Sequence, residues 1–363
     1  MSAAPSSDIS FRNVAFILAT LAILIIGLVY GGPFLVPIVI ALLITILVGA
    51  GADRLHRLGL PEPFATLSAV AILVIAIVAV FNVLGGQADA VTQAWPRYVE
   101  RLKAIADQLI GWAGPQITTK VTDAIRNLDL LREVPSVLGS AGGFVVTVAL
   151  VAIYAGFLLV ERGRLAGKID LIFRSTDRAG EMQRALTDIS ESIRRYLWIK
   201  TLMSVLIGGV SYAVLKILGV DFAETWALII FLLNYIPSIG SALGVAFPAL
   251  LALVQFDTLW PFFIIIALLS TAQVIIGNVV EPSLMGRTLN LSPFVVIASL
   301  AFWGMIWGIV GAFLAVPMTT ALVIVCSHIR SLQWVAILLS ADAKAVLGME
   351  SLSESQRVSD NGD

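Results

Sequence analysis

Between Asn234 and Glu281 the chain places amides, hydroxyls and a carboxylate among residues otherwise apolar enough to lie in lipid. Asn234, Ser238, Ser241, Gln273 and Asn278 offer the donors and acceptors that an uncharged, hydroxyl-rich solute needs in a dry site. Glu281 is an acid at membrane depth, a position that points to coupling a proton or a cation. Asp257 reads as a turn residue. The backbone carries a second signal. Pro237 and Pro248 lack an N–H and crowd the carbonyls of Leu233 and Gly244, which predicts that the helix breaks or kinks twice within 232–248. Gly240 and Gly244, four residues apart, allow close approach there, and Pro282 is expected to free the Asn278 carbonyl. Interrupted backbone at membrane depth is tolerated only in protein or beside a wet cavity, and in secondary transporters such broken helices build the solute site.

Each residue also has a plainer reading. The polar side chains would satisfy one another across helix contacts, each worth below about 1 kcal/mol in a membrane. Glu281 would form a helix-end ion pair with Arg287, or with it serve gating and coupling. Tyr235 would pack rather than stack on a solute. No catalytic machinery competes with these readings: G-x-S-x-G, H-E-x-x-H and paired aspartates in apolar segments are all absent from the sequence. One cysteine, Cys326, and two histidines, His56 and His328, leave no disulfide within the chain and no ordinary zinc site. No cofactor is implied and an enzyme is not expected.

The elements that must hold these residues are membrane helices. Of 363 residues, 59% are hydrophobic and only 13% charged, with a mean hydropathy of +0.96, against roughly 25% charged in soluble domains. A net charge of −1 gives no basic face for nucleic acid. Stretches of about twenty apolar residues fall at 13–30, 34–52, 64–84, 141–160, 201–218, 225–254, 260–280 and 293–326. The fold class is therefore all-α and integral to the lipid bilayer, with about eight transmembrane helices, some broken or re-entrant. The last stretch is expected to end or kink at Pro317, and Gly304, Gly308 and Gly311 allow it close helix contact.

The domain plan is helices 1–3 over 1–84, an extracytoplasmic helical insert over 85–140, the fourth helix over 141–160, cytoplasmic amphipathic helices over 161–200, a transport core over 201–326 and a cytoplasmic tail over 327–363. Within the insert, the spacing of Trp95, Tyr98, Leu102, Ile105, Leu109 and Trp112 predicts one amphipathic helix. Ile117 to Leu131 predict a second, after a break near Gly114-Pro115. Met182, Leu186, Ile189, Ile193 and Tyr196 form one stripe, which predicts a helix on the inner membrane surface that then turns in. Its Arg194, Arg195 and Lys200 would act as headgroup anchors, each worth on the order of 1 kcal/mol. The excess of Lys and Arg over 161–200 places that segment and both termini inside. Residues 1–10 lack a basic n-region, so the first apolar stretch reads as a retained helix.

With these motifs in place, the sequence resembles the autoinducer-2 exporter family of bacterial membrane transporters, a predicted permease family. The resemblance rests on Asn234-Tyr235-Ile236-Pro237-Ser238-Ile239-Gly240, on Glu281-Pro282-Ser283-Leu284-Met285-Gly286-Arg287 with Leu291-Ser292-Pro293, and on Gly308-Ile309-Val310-Gly311 leading to Pro317. The second apolar stretch departs from the family pattern, carrying Gly49-Ala50-Gly51 where relatives more often have a proline. The resemblance implies a multi-pass protein of the bacterial inner membrane and a homo-oligomer, a pentamer among the options. It also implies a small-molecule or monovalent-cation substrate. Two functions follow from it: export of the small signalling molecule autoinducer-2, or exchange of sodium or lithium against protons. A non-transporting membrane scaffold or regulator is the reading that would not need broken helices.

Overall fold

A computed structural model of the chain describes residues 11–113, 147–161, 179–285 and 290–343, and every regular element among them is helical. In chain order these are α1 (Phe11–Tyr30), α2 (Gly32–Arg57), α3 (Glu62–Ala113), α4 (Thr147–Glu161) and α5 (Ala179–Ile217). Then come α6 (Ala223–Leu233), α7 (Ile239–Gln255), α8 (Trp260–Ile275), a π-helical turn (Ile276–Val280), α9 (Glu281–Met285), α10 (Pro293–His328) and α11 (Gln333–Leu339). Among the described residues five stretches are long and apolar enough to cross a membrane: Gly32–Arg57, Glu62–Gln87, Ala185–Ile217, Trp260–Met285 and Pro293–His328.

The mast of the molecule is α5, which packs against α2, α6, α8, α9 and α10. At 39 residues it is about 58 Å long, well over the roughly 30 Å of a hydrocarbon core. The expected surface helix and the fifth span are one continuous helix, and from Glu181 to Ile207 the sequence has neither proline nor glycine to interrupt it. The same holds for α3, whose 52 residues run without a break through the expected boundary at 84. Its apolar first half is span-like, and its second half covers the residues over which the first amphipathic helix of the insert was expected. The second, over 117–131, lies outside the described residues.

Two of the apolar stretches fold back on themselves. Residues 225–254 do so as α6 and α7. Asp221 N–H donates to Gln255 Oε1 at 2.8 Å, and Gln255 Nε2 donates to the Gly219 carbonyl at 2.8 Å, so the two ends of the segment meet. At 11 residues, α6 is about 16 Å long and cannot cross alone. The second case corrects an expectation. Residues 293–326 read as one long span bent at Pro317, whereas α10 leaves helical geometry at Trp307 (φ −124°, ψ 17°) and Gly308 (φ 63°, ψ −145°). A positive φ at Gly308 has little cost for glycine and reverses the chain there.

Pro248 lies inside α7 and Pro317 inside the arm of α10 that follows Gly308, and both are fully buried. Of the break or kink expected at Pro248, the break is absent, because α7 runs through it. A proline forfeits one helical hydrogen bond and bends the axis, and packing on all sides holds the helix together through it.

The hairpins are buried against the mast by two apolar clusters. One joins Met203, Ile207 and Leu215 of α5 to Ile230, Ala249, Ile265 and Leu269. The other joins Ile193 and Leu197 to Leu43, Val295, Leu314, Val316 and Ala336. The segment after α10 belongs to the body: Ser292 N–H donates to the Leu339 carbonyl, and Ala341 N–H to that of Asn290, closing a short antiparallel bridge.

Candidate functional site

The tip of the α6–α7 hairpin spans 234–238. The break at Pro237 expected from the sequence is here. Ile239 N–H reaches back to the Pro237 carbonyl at 2.6 Å, closing a three-residue γ-turn around Ser238 at φ 62°, ψ −53°. That form is rare and strained for a residue with a Cβ. Ser241 Oγ donates to the Ser238 carbonyl at 3.0 Å. Gly240 is obligatory: a Cβ there would lie 1.8 Å from the Leu233 carbonyl oxygen. At Gly244 an added Cβ would lie 3.4 Å from both Gln273 Nε2 and Ile230, an ordinary contact, so the packing there does not demand a glycine.

Facing the tip, α8 becomes a π-turn. Glu281 N–H bonds the Ile276 carbonyl, five residues back. One extra residue in the turn lets the helix continue past Pro282 to Met285 instead of stopping. Such turns recur at functional sites.

Between these irregular segments lies a cavity of about 290 Å³, lined by Lys200, Asn234, Ile236, Pro237, Ser238, Ser241, Gln273, Val274, Gly277, Asn278 and Glu281. Seven of the residues singled out in the sequence thus meet around one space. Asn234 is buried and donates from Nδ2 to Ser204 Oγ of the mast at 3.0 Å. Tyr235 turns away from the cavity. Its ring stacks on Phe313 of α10 at 4.7 Å between centroids, and its hydroxyl lies 2.7 Å from Thr201 Oγ1. Since Thr201 donates to the Leu197 carbonyl, Tyr235 is the donor of the pair. Tyr235 therefore joins the two hairpins to the mast, the packing role expected of it. Gly240 shapes the tip, and neither it nor Gly244 lines the cavity. Arg287 lies outside the described residues.

The residue that sequence reasoning missed is Lys200. It was expected at headgroup level, yet it is 5% exposed, and its Nζ donates to Glu281 Oε1 at 2.7 Å. Arg194, six residues earlier, lies in a charged cluster, 3.7 Å from Asp53, where Arg54 also lies over the Trp198 ring at 4.2 Å. Lys200 is about 9 Å further along the axis. The signal was present in the sequence. Ile193 and Tyr196 are both buried, and the next place on their stripe is 200, followed by Ser204, Ile207 and Ser211. A cation in register with an apolar stripe points inward.

Chemically the cavity offers one buried, charge-assisted ion pair set among amides and hydroxyls. Burying such a pair is costly unless geometry and further hydrogen bonds compensate, and removing one partner alone costs about 3–5 kcal/mol. Among the described residues no group of three or more His, Cys, Asp or Glu converges as a metal site would require.

Comparison with known proteins gives a consistent picture. The model of a family described as "AI-2E family transporter" matches residues 18–331. The AI-2 transport protein TqsA of Escherichia coli (strain K12) is 30% identical over 347 residues, 93% of this chain and 98% of that protein. YhhT of the same organism is 26% identical over 87% of this chain and 90% of its own length. A Borreliella burgdorferi protein is 35% identical over 54% of both chains.

Proposed function

The chain belongs to the AI-2E transporter family, and on that premise we propose that it exports a small polar signalling molecule of the autoinducer-2 class across the bacterial inner membrane. The solute passes between the hairpin tip at 234–241 and the distorted helix at 273–281. The observation that carries this reading is the convergence of two broken backbone segments, from separate parts of the sequence, on one cavity lined by amides and hydroxyls. A continuous helical anchor has no use for a strained turn at Ser238, a π-turn before Pro282 or polar side chains beside an ion pair. The transport core is 201–326. Its two hairpins return to the side they entered from, so both termini stay on one side, the cytoplasmic one by the charge of 161–200. Rocking or sliding of the hairpins against the mast gives the solute alternate access.

The carboxylate of Glu281 in the cavity favours a second reading, sodium or lithium exchange against protons. Flux into proteoliposomes separates the two: autoinducer-2 uptake on one side, sodium-driven proton movement on the other. Asn234→Leu removes an amide from the lining and Glu281→Gln removes the carboxylate. Loss of autoinducer-2 flux in either variant supports the site, and normal flux in both removes it.

A further inference from the structure

The cavity contains the parts of a cation site with the cation already supplied by the protein. Lys200 and Glu281 are the charged side chains in its lining, and they are bonded to each other at 2.7 Å. The rest of the polar lining is neutral. A small monovalent cation binds through oxygens, and Glu281 shares the cavity with Gln273, Asn278 and Ser241, side chains that carry such oxygens. One carboxylate with neutral oxygens suits a single positive charge and is poor in charge for a divalent ion. The Lys200 ammonium now fills that position.

We propose that Lys200 is a resident cation: it occupies the place at Glu281 that a monovalent ion would take, and so reserves the cavity for uncharged polar solutes. The proposal rests on reading this cavity as the transport site and names the residue that sets its substrate class. A free cation competing for Glu281 must leave the ammonium buried without its partner, the costly half-broken pair. An uncharged solute bonds to the amides and hydroxyls and leaves the pair intact. Lys200 is thus a specificity-determining residue, and the charge of the lining stays balanced whether or not a solute is present.

The test measures thermal unfolding of the purified full chain in sodium, lithium or N-methylglucamine chloride at equal ionic strength. A ligand that binds only the folded state raises Tm by mass action. Wild type should show no difference among the three salts. Lys200→Met keeps the length of the side chain and removes its charge. It should be stabilised by sodium or lithium over N-methylglucamine in a saturable manner, by about 4 °C at a hundredfold excess over Kd. Lys200→Gln is the more polar alternative if the methionine variant does not fold. The double variant K200M/E281Q, with both charges gone, should lose the response. A sodium-specific rise in wild type overturns the proposal without any variant. A folded Lys200→Met or Lys200→Gln with no ion preference, or a response that survives Glu281→Gln, overturns it too. Autoinducer-2 flux is read separately, so failure of the proposed function and failure of the cation assignment give different results.

Discussion

Trp303 donates its indole N–H to Thr319 Oγ1 at 3.1 Å although 16 residues separate them in one apolar segment. A straight helix would hold them about 24 Å apart. The bond therefore reports a hairpin, and both groups are buried inside it. Thr319→Val keeps the shape and strands the indole N–H, at a cost of about 1–3 kcal/mol. Thr319→Ser should recover most of that, as read by the thermal unfolding midpoint.

The same hairpin makes two neighbouring glycines unequal. A Cβ at Gly311 would lie 1.9 Å from the Trp303 carbonyl oxygen, while one at Gly304 would lie 3.8 Å from Ala312, an ordinary contact. Gly311→Ala should abolish folded protein or lower its Tm sharply, and Gly304→Ala should leave it within about 0.5 kcal/mol of the parent. Size-exclusion profiles and unfolding curves of the two variants decide this.

How much of this was legible beforehand depends on which physical effect dominated at each position. The Pro237 break and the gathering of Asn234, Ser238, Ser241, Gln273, Asn278 and Glu281 were readable, because polar groups and backbone breaks at membrane depth have few uses. Pro248 and Pro317 do not stop their helices, because a single proline costs one hydrogen bond, which a well-packed helix absorbs. The reversal of α10 was written in Gly308, which the spacing with Gly304 and Gly311 made look like a helix-contact glycine. Lys200 was assigned by its charge and its basic neighbours, when its register with Ile193 and Tyr196 carried the better information.

At the hairpin tip, Ser238 holds a positive φ with a side chain attached. Ser238→Gly removes the conflict and should leave stability unchanged or raise it by about 1 kcal/mol. Ser238→Val, with a branched Cβ at positive φ, should lower it by more. The unfolding midpoint should be no lower than the parent's in Ser238→Gly and below it in Ser238→Val.

The far end of α3 reaches the base of the same hairpin. Tyr98 donates to Asp221 Oδ2 at 2.7 Å and meets the Phe222 ring edge-on at 6.5 Å, and Arg101 lies 3.1 Å from Asp257. Burial, then the bond to Asp221 and its negative charge, push the Tyr98 phenol above its ordinary value of 10.0. The folded state thus binds the proton more tightly than the unfolded one. Its contribution to stability is complete below the ordinary value and is lost as pH rises beyond it. Tyr98→Phe should cost about 1–2 kcal/mol at neutral pH, and should lose stability less steeply than the parent above pH 10. Unfolding midpoints from pH 8 to 11 test both parts.

The central claim is that water and solute reach the space between the hairpin tip and the π-turn. The lone cysteine, Cys326, is buried, so Cys326→Ser gives a background in which single cysteines can be placed at Ser241 and Asn278 in the cavity lining, and at Ser211 in the core. The rate of modification by a small charged methanethiosulfonate in proteoliposomes is the measurement. Ser241→Cys and Asn278→Cys should react at least tenfold faster than Ser211→Cys and slow when autoinducer-2 is added. Equal, slow rates at all three positions would mean that the cavity is sealed, and the transport reading would be wrong.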